Sequence, residues 1–176
     1  MTVKIYLHAA DIAGRQIFSE RGPCVTKKPV REISMKILLI CSKRFYSQIP
    51  PIREALCRAG HEVLLPNCYE TPGTEAAMAA QGEEAHRRFK AAMFRKSEAT
   101  IAGVDAVLVL NLDRTDEKAG DVCRGYLGGA TFLEMYDAFR LGKRIYLWQP
   151  APDSILKDEI CGFGPVILNR DLSGIS

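Results

Sequence analysis

The densest chemical signal in the sequence is the run Gly125-Tyr126-Leu127-Gly128-Gly129-Ala130-Thr131-Phe132-Leu133-Glu134. Paired glycines ahead of a helix let a ligand come close to the backbone, and the unpaired N–H groups of a first helical turn favour an anion. Gly128, Gly129 and Thr131 are therefore candidate ligand contacts. A carboxylate near that helix start is held ionised by the helix dipole. Glu134 then has two chemical uses: a nucleophile towards an electrophilic sugar carbon, or an acceptor for sugar hydroxyls. The spacing Thr131-x-x-Glu134 also fits a capping box, in which Glu134 only accepts the backbone N–H of Thr131. On a wheel of ~100° per residue, Phe132, Met135, Tyr136 and Phe139 make the main apolar stripe, with Glu134 beside Ala130, Ala138 and Leu141.

Other candidates follow the first and third expected strands. Ser42, Lys43, Arg44 and Tyr46 come directly after the apolar run Lys36–Cys41. Lys43 and Arg44 can hold a phosphate, or form a solvated basic turn. Tyr46 can hydrogen-bond a carboxylate or a ligand, or pack on the next helix. Asn111 and Asp113 follow the run Asp105–Leu110; they reach a crevice or cap a loop. Ser97 and Glu98 lie in the helical stretch before that strand. Lys118 and Arg124 read as surface charges. His8, His61 and His86 are isolated, and no metal-ligand spacing surrounds them, so no metal or other cofactor is expected.

The elements that must position these residues alternate. Strand Lys36–Cys41 leads through a loop, Ser42–Ile49, to a helix from Pro50 to Ala59, whose prolines fall in the tolerated first turn. Glu62–Leu65 is a short strand, Pro66–Thr74 a loop, and Glu75–Ala102 one long or broken helix. Asp105–Leu110 is continuously apolar, as in a strand buried on both faces. A glycine-containing loop, Asn111–Gly129, precedes the helix Ala130–Leu141. Arg144–Trp148 is a fourth strand and Pro165–Leu168 a fifth. Strands alternating with helices predict right-handed βαβ units and an α/β fold with a mostly parallel sheet of about five strands. Ligands of such sheets bind beyond the carboxyl ends of the strands. The loops after strands one, three and four (the last being Gln149–Asp153) are thus expected to form the site.

The 176 residues suit one domain, with 47% hydrophobic and 26% charged content. Residues 1–34 differ from the rest. They hold six basic and three acidic residues, which accounts for the whole net charge of +3. Thr2–Ala9 is strand-like, and Arg21–Pro29 carries the breakers Gly22, Pro23 and Pro29. Met35 opens the first convincing strand, so the expected division is an N-terminal extension, 1–34, and an α/β domain, 35–176. The neutral body argues against nucleic-acid binding. The six cysteines form no C-x-x-C pair, and Cys41 and Cys57 are expected as small buried hydrophobes. The N-terminus lacks a long apolar core, and the longest apolar runs are strand-sized, so no membrane association and a cytoplasmic location are expected.

From Met35 to Leu168 the chain resembles the nucleoside 2-deoxyribosyltransferase-like superfamily. The resemblance rests on KILLIC with Phe45-Tyr46, on DAVLVLN (Asp105–Asn111), and on Gly128-Gly129-Ala130-Thr131-Phe132-Leu133-Glu134 followed by Ala138, Leu141-Gly142-Lys143 and Ile145-Tyr146-Leu147. More closely, it is similar to a poorly characterised group with a Tyr-Leu/Ile-Gly-Gly-x-Thr-x-x-Glu-Met pattern. The resemblance implies a flavodoxin-like three-layer sandwich. It also implies cleavage of the N-glycosidic bond of a nucleoside or nucleotide, by hydrolysis or 2-deoxyribosyl transfer. Glu134 maps onto the family's nucleophile and Tyr46 onto its aromatic hydroxyl, which positions that nucleophile. Two departures stand out. Gly128 occupies the place of an aspartate six residues before the nucleophile. Ser97 and Glu98 lie where a proton-handling aspartate belongs, with Glu98, or Asp113 elsewhere, as the substitute acid. These losses keep open a non-catalytic nucleotide-binding or sensing module. The same stretch is similar to the Gly-Gly-x-Gly-Thr-x-x-Glu motif of phosphoribohydrolases, one residue short, and those enzymes act on the same bond type. Relatives often complete their sites across a dimer, which puts a homodimer among the expectations.

Overall fold

The computed structural model describes residues 34–115 and 120–176. Residues 1–33 of the extension, with its expected strand Thr2–Ala9, and Lys118 lie outside the described residues.

Strand β1 (Lys36–Ile40) is apolar at every position after its lysine, and Leu38 and Ile40 point opposite to Ile37 and Leu39, as the two-residue period of a strand requires. A six-residue 3₁₀ helix, Lys43–Gln48, then delivers the chain to α1 (Ile49–Arg58), where a loop was expected. After β2 (Glu62–Leu64), the helical stretch from 75 to 102 divides into α2 (Thr74–Ala80) and α3 (Glu83–Ala102). The break falls at Gly82, whose φ of +111° is closed to residues with a Cβ. Strand β3 (Ala106–Val109) has no exposed position. The following loop is not wholly irregular: β4 (Arg114–Thr115) and β5 (Val122–Cys123) pair as an antiparallel ribbon. Then come α4 (Gly129–Arg140), β6 (Arg144–Leu147), the short helix α5 (Lys157–Gly162) and β7 (Val166–Ile167).

The main sheet has the order β2-β1-β3-β6-β7, and every neighbouring pair is parallel. This is the flavodoxin-like arrangement of a doubly wound sheet, in which the order of strand addition reverses between β1 and β3. Helices cover both faces. Ile37, Leu39, Ala106 and Leu108 pack against Phe45, Ile49, Ile52 and Leu56 on one side. Leu38, Ile40, Val107 and Val109 pack against Ile101, Met135, Ala138 and Ile160 on the other. The fold is therefore a three-layer α/β sandwich.

Two details differ from the pattern in the sequence. The buried face of α4 is Thr131, Met135 and Ala138. Tyr136 and Phe139 are each nearly half exposed and gather with Phe132 around the ring of Phe163, at centroid distances of 5.3 to 6.2 Å. The apolar stripe counted on a wheel is thus divided: Met135 meets the sheet, while Phe132, Tyr136 and Phe139 meet Phe163 at the end of a helix not visible in the sequence pattern. Cys57 is exposed on α1, while Cys41 is buried as expected of a small hydrophobe. Among the described residues, no helix is long and apolar enough to cross a membrane.

Candidate functional site

A cavity of about 300 Å³ opens at the carboxyl ends of β1 and β2 and the start of α4. It lies at the point where the strand order reverses, the place where doubly wound folds hold their ligands. Its size is at the lower end of small-molecule sites. Three segments from the sequence analysis meet there. Ser42, Lys43 and Tyr46 come from the turn after β1, and Gly128, Gly129 and Thr131 come from the head of α4, along with Glu134 one turn further on.

The head of α4 does not form a capping box. Gly128 is the N-cap residue and makes no side-chain capping bond; Thr131 lies inside the first turn with its side chain buried. Glu134 is in the second turn, beyond the reach of the helix-end field, which falls off within one turn. Its carboxylate turns towards α3 instead. Ser97 Oγ donates to Glu134 Oε1 at 2.7 Å. Burial pushes the Glu134 carboxyl above its ordinary value, the Ser97 hydrogen bond opposes that shift, and the charge of Asp137 adds to it. Glu134 is thus shielded and oriented, and its ionisation is set by burial rather than by the helix dipole.

Ser97 is in turn held by Asn67. Asn67 Nδ2 donates to Ser97 Oγ at 2.7 Å and to the backbone oxygen of Met93 at 3.3 Å, while the Asn67 carbonyl accepts the Tyr46 hydroxyl at 2.8 Å. The Tyr46 hydroxyl is therefore spent on the backbone, not on Glu134. Its pKa is pushed up, first by burial. Tyr46 also packs on Tyr69, with ring centroids 5.2 Å apart. Cys41 lines the same cavity, but burial and the Glu134 charge push its thiol up to about 12, so it stays protonated and unreactive.

The wall opposite the glycines comes from α2 and α3. Glu75 accepts ion-pair contacts from Lys43, from Lys90 at 3.2 Å and from His86 at 3.3 Å. Hydrogen bonds from Lys43, His86 and Lys90 hold the Glu75 carboxyl down at about 2, the one from Lys43 being the largest influence. Phe89, Met93 and Phe94 supply apolar surface.

The remaining candidates lie elsewhere. Glu98 is on the outer side of α3, paired with Arg140. The site side of that turn belongs to Ser97. Arg44 stacks its guanidinium over the Tyr126 ring at 5.0 Å and does not line the cavity. Asn111 is fully buried and ties strand ends together: its Nδ2 donates to the carbonyls of Gln149 and Pro150, and its Oδ1 accepts from Gln149 N. Asp113 accepts from Gly125 N at 2.9 Å and from Gln149 Nε2 at 2.6 Å, and Gly125 N is the main reason its pKa is lowered. Their polar groups hold loops, so neither residue faces the cavity. The loop after β6, expected to join the site, is bound into this same network.

Asn67, Glu75, Phe89, Lys90 and Met93 line the cavity without having stood out in the sequence. Asn67 was within reach of the strand-end rule, since it follows β2 as Ser42 follows β1. The helical residues had no such signal, because α3 is amphipathic in a way that any surface helix is. Among the described residues, no group of three His, Cys, Asp or Glu side chains is placed to hold a metal.

No family model matches the sequence. No curated protein matches it. Among solved structures, the chain is similar to a 2-deoxyribosyltransferase from the psychrotolerant bacterium Bacillus psychrosaccharolyticus, at 20% sequence identity. The match covers 71% of this chain and 79% of that one, with a TM-score of 0.44.

Proposed function

We propose that residues 35–176, preceded by an extension, form a domain that cleaves the N-glycosidic bond of a nucleoside or nucleotide, with Glu134 as nucleophile. The observation that carries this reading is a carboxylate fixed by Ser97 in the wall of a cavity at the sheet's reversal point. The Glu134 carboxylate attacks the anomeric carbon, and the base departs with the electron pair of the C–N bond. The resulting glycosyl ester is then opened by water, which gives hydrolysis, or by a second base, which gives transfer. Either acceptor returns the carboxylate to its starting state. Open space beyond Gly129 leaves room for a sugar face to approach α4.

A specific observation favours a second reading, a nucleotide-binding module without chemistry. Apart from Glu134, Glu75 is the only carboxyl among the described cavity residues, and at a pKa of about 2 it is ionised and a poor proton donor to a leaving base. Glu98 and Asp113 are held elsewhere. Water would have to protonate the base.

The deciding experiment incubates the purified chain with deoxynucleosides and nucleoside monophosphates and follows free base by chromatography, with Glu134→Ala as control. Base released by the native chain and not by the variant supports the first reading. Saturable binding with no product over long incubation supports the second. The homodimer expected from the family resemblance belongs to the same proposal, and sedimentation analysis reads it directly.

A further inference from the structure

We propose that the cavity takes its nucleoside as the 5′-phosphate, with the phosphate held between Lys43 and Lys90. This rests on the nucleoside-ligand reading above and narrows its substrate class. Three cation-capable side chains from two separate elements converge on the single carboxylate of Glu75: Lys43 from the turn after β1, and His86 and Lys90 from α3. His86 and Lys90 stand four residues apart and so share a helix face. Lys43, Lys90 and Glu75 line the cavity.

The charge of this cluster is not balanced. Two ammonium groups against one carboxylate leave a surplus of one positive charge, and protonation of His86 makes it two. A phosphate monoester carries about −1.5 to −2 at neutral pH. It therefore completes the cluster, whereas a 5′-hydroxyl leaves the surplus unanswered. Glu75 holds both ammonium groups at the cavity wall before a ligand arrives, which lowers the ordering cost of binding. Neither lysine is drawn to the other cavity carboxylate. Both pair with Glu75, and Lys90 is the weakest of the influences on Glu134. The cationic subsite and the nucleophile thus remain electrostatically distinct. Phe89, Met93 and Phe94 line the same cavity and offer apolar surface to a base or sugar face.

The test compares each deoxynucleoside with its own 5′-monophosphate on the full chain, by free-base release and, in parallel, by calorimetric binding. The expected result is a preference for the monophosphate of about tenfold or more in kcat/KM, equivalent to about 1.4 kcal/mol. Lys90→Ala and Lys43→Ala each reduce that preference, and raised salt weakens monophosphate binding more than nucleoside binding. Equal use of both forms, or a preference for the nucleoside, overturns the phosphate subsite and leaves the glycosidic reading standing. If neither form releases base, the glycosidic reading falls, and calorimetry decides the subsite. Tighter binding of the monophosphate, lost in Lys90→Ala, supports it; equal or absent binding of the two overturns it.

Discussion

Ser97 Oγ and Glu134 Oε1 stand 2.7 Å apart, and the direction of that hydrogen bond is fixed by a third residue. A serine hydroxyl has one proton to give. Asn67 Nδ2 donates to the same oxygen, and its orientation is set by its second contact with the Met93 carbonyl, which only the amide NH₂ can satisfy. The Ser97 proton is therefore committed to Glu134, so the loop after β2 orients the hydrogen bond that opposes the effect of burial on a side chain of α4.

Loss of that proton has a definite sign. The Ser97 hydrogen bond lowers the Glu134 pKa against the raising effect of burial. Ser97→Ala should move the Glu134 titration to higher pH, read by carbon NMR of the labelled carboxyl. If Glu134 attacks as the carboxylate, the acid limb of the pH–rate profile moves the same way. Hydrogen bonds to charged groups contribute about 1.5–3 kcal/mol, so kcat/KM should fall roughly 10- to 150-fold. A loss of rate with an unmoved titration would assign Ser97 a packing role only.

The same burial makes Glu134 a cost to stability at neutral pH. Its folded pKa is raised above the ordinary 4.5. The neutral form is the one the fold favours, so its contribution is complete below the unfolded value and is lost as pH rises through the folded one. Glu134→Gln keeps an oxygen to accept from Ser97 and cannot ionise. It should have a higher Tm than the native chain at pH 7, with the two curves converging below pH 4.5. An equal Tm at every pH would remove the claim that burial governs this carboxyl.

Glu75 has the opposite sign. Its folded pKa of about 2 lies below the ordinary 4.5, so its stabilisation is present above the ordinary value and is lost as pH falls towards 2. Glu75→Gln should cost about 0.5–1 kcal/mol at neutral pH, the range of exposed ion pairs. The difference should shrink with added salt, and also as pH falls from the ordinary value through about 2, in chemical denaturation. A deficit that stays constant across that fall would mean packing, not charge.

The strands and the outline of the site were legible because their causes are local. KILLIC and DAVLVL are apolar at consecutive positions, which only a doubly covered strand explains, and the strand-end rule then located the turns at Ser42 and Gly128. What stayed hidden depends on where separate elements meet. The spacing of Thr131 and Glu134 allowed a capping box, and only the helix starting at Gly129, which puts Glu134 in its second turn, excludes it. Ser97 and Glu98 are adjacent in sequence, about 100° apart around α3, and reach different residues of α4. The chemically richer residue is on the outer side with Arg140, and the plainer one touches Glu134. Asn111 and Asp113 occupy a strand end that suits a ligand, yet backbone groups of Gln149, Pro150 and Gly125 claim them first.

Two glycines of the motif should respond to alanine in contrasting ways. Gly125 has φ of +63°, and a Cβ there would lie 2.9 Å from the Pro150 oxygen and 3.3 Å from Asn111 Nδ2. Gly125→Ala combines backbone strain with a clash against a fixed carbonyl. It should cost about 1–3 kcal/mol, seen as a fall in Tm of roughly 2–12 °C. Gly129 has no atom within 4 Å of its added Cβ and begins α4, where alanine is the better helix former. Gly129→Ala should hold or raise Tm while its methyl group occupies the cavity edge and weakens nucleoside or nucleotide binding in calorimetry. The pair separates the two uses of glycine in one motif. Gly125 lets the loop pack, and on the proposed function Gly129 lets a ligand approach. Equal losses of stability in both variants would place Gly129 in the fold instead of the site.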